Sequence, residues 1–135
     1  MQQMNNLKKQ EVFLKELIEA FPEIRDEIMD EDYLGLITLQ IGCFKRFTQI
    51  AIDKNELDVI KKCFLFVDEN IEIVEYAVKN ALYISYLGHL NIPKKSKANK
   101  LLTINLKNIL AELDKYNKSV SKNEKLNKFI NDLRK

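Results

Sequence analysis

Hydrophobic residues recur along this chain at helical spacing almost without interruption. Val12, Phe13, Leu14, Leu17 and Ile18 put one apolar stripe on a segment from about Asn5 to Ala20, with Lys8, Lys9, Glu11, Lys15, Glu16 and Glu19 wet. Phe21-Pro22 interrupts that pattern, and proline suits the first turn of a new helix, where its missing N–H would have no partner anyway. A short second helix is therefore predicted from Pro22 to about Met29, with Ile24 and Ile28 on one face, ending at Asp30-Glu31-Asp32 before Gly35. The next segment, about Leu36 to Asp53, is apolar on most of its circumference. Ile37, Ile41, Phe44 and Ala51 form one stripe; Leu36, Cys43, Phe47 and Ile50 form its neighbour. Such a helix is expected at the centre of a bundle, touched from several sides.

The pattern continues to the C-terminus. Asn55 is a candidate cap for a helix carrying Leu57, Ile60, Cys63, Phe64 and Val67. After a break at Asp68-Glu69-Asn70, Ile71 to about Leu87 reads as a long helix. Ile71, Val74, Val78, Ala81 and Leu82 face inward, and Tyr76, Tyr83 and Tyr86 lie at its margins. Asn91-Ile92-Pro93 is a stop, because the residue before proline is biased away from helical geometry. Ser96 can cap a helix holding Leu101, Leu102, Leu106, Ile109, Leu110 and Leu113. Ser121-x-x-Glu124 has the capping-box spacing and opens a last helix with Leu126, Phe129, Ile130 and Leu133 inward. About seven helices with short connections predict an all-α bundle or a stack of helix hairpins. We read residues 1–135 as a single helical domain, with 93–97 as a basic linker before the last two helices.

Composition narrows the class. A chain of 135 residues, 46% apolar, can bury a real core. Three Gly and two Pro are too few for a turn-rich all-β protein or a glycine-built phosphate cradle. Cys43 and Cys63 sit among apolar residues and read as buried free thiols in a reducing cytoplasm. The polar start from Met1 to Gln10 lacks a secretory pattern, and no apolar run approaches the roughly 20 residues that span a bilayer. A cytoplasmic protein that does not enter membranes is expected.

Charge changes the picture more. Residues 1–35 hold four Lys/Arg against nine Asp/Glu, a net −5; residues 36–93 hold six against seven, a net −1. Residues 94–135 hold twelve against four, a net +8, so the chain's overall +2 conceals a strong polarity. The negative charge is focused on Glu19, Glu23, Asp26, Glu27, Asp30, Glu31 and Asp32. Glu23 and Glu27, and Asp26 and Asp30, are four apart on shared helix faces, where like charges cost a few tenths of a kcal/mol per pair. This cluster is either a solvated face or an anionic patch for a basic protein; it lacks the central glycine of a calcium loop. The positive charge begins at Lys94, Lys95, Lys97 and Lys100, which could contact phosphates. Arg134 is the sole arginine of that region, a poor basis for bidentate base recognition, and Tyr116 and Phe129 are its only aromatics. A solvated surface, or attraction to the acidic end, is the competing reading.

Catalytic chemistry has little support. His89 is the only histidine and lies at a predicted helix end, where it can bond the last carbonyls. Cys43, Cys63 and His89 are zinc-type ligands without zinc-type spacing. No cofactor or metal is expected.

A family resemblance is carried by Phe21-Pro22-Glu23-Ile24 and by Leu39-Gln40-x-Gly42-x-Phe44-x-Arg46-Phe47 with Ala51-Ile52-Asp53. Phe64-x-Phe66-Val67 and Asn80-Ala81-Leu82-x-Ile84-Ser85-x-Leu87-x-His89-Leu90 complete it. Over about residues 20–90 the chain resembles a family of small all-helical bacterial domains of unassigned function, loosely associated with toxin-system immunity proteins. That resemblance implies a helical fold and no catalytic residues. The leading expectation is a non-enzymatic protein-binding domain, an immunity protein that neutralises a basic toxin domain through its acidic face. The alternative is a nucleic-acid-binding or regulatory module using the basic C-terminal helices, and a homo-oligomer is compatible with either.

Overall fold

The computed structural model describes residues 6–116, and every regular element among them is helical. The helices are α1 (Gln10–Ala20), α2 (Arg25–Ile28), α3 (Ile37–Asp53), α4 (Leu57–Asn70), α5 (Tyr76–Ala81), α6 (Lys97–Lys100) and α7 (104–116). The chain divides into two compact units, Met1–Thr103 and Ile104–Lys135. Among the described residues, no helix is long and apolar enough to cross a membrane.

In the first unit α3 is the central helix, as its apolar circumference predicts; it packs against α2, α4, α5 and the turn after α5. Ile41, Cys43, Phe44, Ala51 and Ile52 are its buried apolar residues, while Leu36 and Ile50, assigned to its second stripe, are exposed. Phe21, at the end of α1, brings its ring within 5.1 Å of Phe44, 5.6 Å of Phe47 and 5.8 Å of Phe66. Phe44 stacks on Tyr86 at 4.8 Å, so one aromatic cluster joins α1, α3, α4 and the segment after α5.

Several boundaries differ from the pattern-based expectation, each for a local reason. Helix α1 begins at Gln10, because Lys8 pairs in extended conformation with the α4–α5 connection. Its N–H donates to Ile73 O at 2.7 Å, and its carbonyl accepts from Glu75 N at 2.9 Å. The Glu75 carboxylate then accepts from Gln10 N at 2.9 Å, capping the first turn of α1 from a distant part of the chain. Val12, placed on the apolar stripe, is 47% exposed. Pro22 opens a 3-10 turn, Pro22–Ile24, that tightens the entrance to α2.

Asn55 does not cap α4. It has φ +58 and closes α3: Asn55 N donates to Ile52 O at 3.1 Å and Glu56 N to Ala51 O at 2.9 Å. This is the paired Schellman arrangement, which a left-handed asparagine tolerates. Helix α4 continues to Asn70, past the expected break, and the chain turns at Ile71–Val74. The long helix expected from Ile71 to Leu87 is instead α5, a π turn (Leu82–Tyr86) and a 3-10 turn (Leu87–His89). Tyr86, in the π turn, is buried with Val78 and Leu82, so it is a core residue and not a marginal one.

Ser96 caps α6 as expected, its Oγ accepting from Asn99 N at 3.1 Å. The helix ends at Lys100, and Thr103 Oγ1 donates to Asp68 Oδ1 at 3.0 Å where one continuous helix was predicted. In the second unit, α7 carries Leu106 and Ile109 as its buried positions. The capping box at Ser121 and Glu124 and the helix it opens lie outside the described residues.

Candidate functional site

The short span between α1 and α3 concentrates the features that can bind something. Glu19 ends α1, Glu23 lies in the 3-10 turn, Asp26 and Glu27 are on α2, and Asp30, Glu31 and Asp32 occupy the loop before Gly35. All seven carboxylates are solvent-exposed. The buried residues beneath them are Ile24 and Ile28, so the span turns its apolar side to the core and its charge to solvent. Asp30 Oδ1 accepts from Asp32 N at 2.9 Å, which shapes the loop. Gly35 then takes φ +78, a left-handed conformation that glycine adopts freely.

Little of this charge is neutralised locally. Glu27 pairs with Arg46 of α3 at 3.2 Å, and Asp26 with Arg25 at 3.5 Å, both in solvent, where such pairs are worth about 0–1 kcal/mol. Glu19, Glu23, Asp30, Glu31 and Asp32 have no ion pair among the described residues. Lys94, Lys95, Lys97 and Lys100 are also exposed, and no described ion pair joins them to the acidic seven.

Beside the acidic span lies a cleft of about 460 Å³ between α1 and the α2–α3 connection. Leu14 and Ile18 of α1 face Met29 and Leu34, and Glu11, Lys15 and Glu19 stand at the lining's polar edge. Glu19 and Met29 connect the cleft to the acidic span. Its inner wall includes Gln40 of α3, which is 1% exposed. Gln40 Nε2 donates to Ile28 O at 3.1 Å, but its Oε1 has no hydrogen-bond partner among the described residues. That oxygen is buried and not open to the cleft, and an unpaired buried acceptor costs roughly 1–3 kcal/mol.

Most of the site falls in a recognised sequence family. A family profile described as a domain of unknown function, DUF7674, matches residues 14–118. The chain belongs to the DUF7674 family. The match is wider than the resemblance over about 20–90: it takes in most of α1, all seven acidic residues, Gln40 and Lys94–Lys100. No curated protein and no solved structure matches the chain significantly.

The other candidate groups, His89, Cys43 and Cys63, lie outside this span in the sequence. His89 is exposed at the end of its 3-10 turn. Among the described residues, no three His, Cys, Asp or Glu side chains come together to hold a metal ion, so Cys43, Cys63 and His89 form no zinc set. Both cysteines are free and buried, as expected. Burial raises Cys43 to about 11, helped by the nearby Glu27 carboxylate, and burial raises Cys63 to about 11. Both thiols are thus protonated near neutrality and are poor nucleophiles. Sequence reasoning passed over Gln40 and the cleft. The available signal was Gln40 and Thr48, two polar residues at four-residue intervals from Phe44 on one helix face.

Proposed function

We propose that this DUF7674 domain is a non-enzymatic, cytoplasmic protein-binding domain whose acidic span, Glu19 to Asp32, receives a basic partner. An immunity protein that neutralises a toxin domain is the role that suits it best. The observation that carries this reading is the exposure of all seven carboxylates with so few local counter-charges. Like charges crowded on one short span repel each other, and a cationic partner relieves that repulsion. Complementary charge also speeds encounter at low salt and disfavours anionic competitors.

The test is affinity capture of the tagged chain from a host lysate at low salt, beside a Glu23→Lys/Asp26→Lys/Asp30→Lys/Glu31→Lys variant. A basic protein should be retained by the parent chain, released by rising salt and missing from the variant. Co-expression should then protect cells from that partner. Identical captured sets for parent and variant would sink the acidic-face reading. Capture of nucleic acid, abolished by Lys94→Glu with Lys95→Glu, would move the function to the basic segment instead.

A further inference from the structure

The cleft beside the acidic span narrows what the partner presents. We infer that it takes a basic amphipathic helix of that partner, with apolar side chains in the cleft and Lys or Arg at its acidic edge; this rests on the acidic-face reading.

The walls of the cleft call for a helix. On α1 they are two neighbouring ridges of four-residue spacing, Gln10, Leu14 and Ile18 beside Glu11, Lys15 and Glu19. At about 1.5 Å per residue, Gln10 to Glu19 extends roughly 14 Å, the length of two to three turns of a helix laid alongside. An extended peptide would need free backbone groups to pair with. Met29, Leu34 and Leu36 spend their N–H groups on the carbonyls of Arg25, Asp30 and Tyr33, at 2.9, 3.1 and 2.9 Å, so the opposite wall offers no strand edge. A helix pairs its own backbone and presents only side chains.

Those side chains follow from what the cleft leaves open. Leu14 and Ile18 face Met29 and Leu34 across a volume of about 460 Å³. Met29 and Leu34, with Leu36 and Leu39 just beyond them in the chain, are each 44–51% exposed. So much uncovered apolar surface on one short stretch favours an apolar partner face. The surrounding charge selects the flanks. Asp30, Glu31 and Asp32 lie between the wall residues Met29 and Leu34 in sequence, and Glu11 and Glu19 have no ion pair among the described residues. Lys15 is the one opposing charge of the lining, so a helix with cationic flanks complements it.

The probe is a fluorescein-labelled peptide of three Leu-Lys-Lys-Leu repeats, which gathers its leucines on one helix face. Its anisotropy is followed on titration with the full chain at low salt. It should bind about tenfold more tightly than a peptide of the same composition with leucines scattered around the helix. Met29→Glu with Leu34→Glu separates apolar contact from charge, because it strips the wall while adding negative charge. That variant should bind about tenfold more weakly, whereas attraction by charge alone would make it bind more tightly. Leu34→Ser, at an exposed loop position, should weaken binding about threefold and covers the case in which the double variant does not fold.

No binding, equal affinity of the two peptides, or undiminished binding by the substituted chains would overturn the inference. So would displacement of the peptide by dodecanol, which would assign the cleft to a small apolar molecule. A parent chain that sediments as a dimer, with Met29→Glu/Leu34→Glu as a monomer, would assign it to a second copy and overturn the inference equally. The lysine substitutions that test the acidic span do not touch the cleft lining, so the failure of either idea is recognisable by itself.

Discussion

Thr48 and Tyr86 share a hydrogen bond of 2.9 Å in the fully buried centre of the first unit. Its direction follows from proton counting. Thr48 has one hydroxyl proton, and it is spent on Phe44 O at 3.0 Å, so Tyr86 is the donor and Thr48 the acceptor. The pair ties the π turn to α3, and Phe44 takes part twice, as carbonyl acceptor and as the ring stacked on Tyr86.

Removing one member should cost more than removing both. Thr48→Val leaves the buried Tyr86 hydroxyl unpaired and should destabilise the chain by roughly 1–3 kcal/mol. Tyr86→Phe removes the donor and should cost about 1 kcal/mol. The loss in the double variant should fall well below the sum of the two single losses, as a urea-denaturation cycle would reveal. Strict additivity would mean that the hydroxyls do not act as a pair.

Alkaline pH should weaken the fold over a defined window. Burial raises Cys43 and Cys63 from 9.0 to about 11 and holds Tyr86 well above its usual 10.0. A raised acid favours the protonated folded state, so this stability is complete below the unfolded values and is lost as pH climbs towards the folded ones. The melting temperature should therefore fall between about pH 9 and 11. Cys63→Ala should flatten that fall, whereas an unchanged pH profile would show that the thiol does not contribute.

Glu75 should prove a remote cap of α1. Its carboxylate meets Gln10 N at 2.9 Å, while Lys9, at the cap position itself, offers no side-chain acceptor. Glu75→Ala should cost about 1 kcal/mol and speed amide exchange in the first turn of α1. Exchange that quickened only in α5, where Glu75 is itself the cap residue, would instead confine its role to its own helix.

Asn55 supplies a backbone test. At φ +58, Asn55→Gly should be neutral or mildly stabilising, and Asn55→Val should cost about 1–2 kcal/mol through clash in the left-handed region. Thermal melts of the two variants should separate in that order.

The sequence by itself determined the helical class, the central place of α3 and the exposed acidic span. These follow from side-chain periodicity and local charge, which are properties of neighbours along the chain. Pro22 and Ser96 likewise act on their own turns, and both mark helix starts where expected. Tertiary structure decided what depends on distant partners. Lys8 left its helix for Ile73 and Glu75 because the backbone groups of that connection needed partners. Tyr86 lies in the core and not at the margin, where Phe44 stacks on its ring and Thr48 offers its hydroxyl an acceptor. Asn55 became the end of α3 and not the start of α4, since both roles suit asparagine and only the three-dimensional path chooses between them. The cleft belongs to the same class: Leu14, Ile18, Met29, Leu34 and Gln40 lie on three segments, and only packing brings them together.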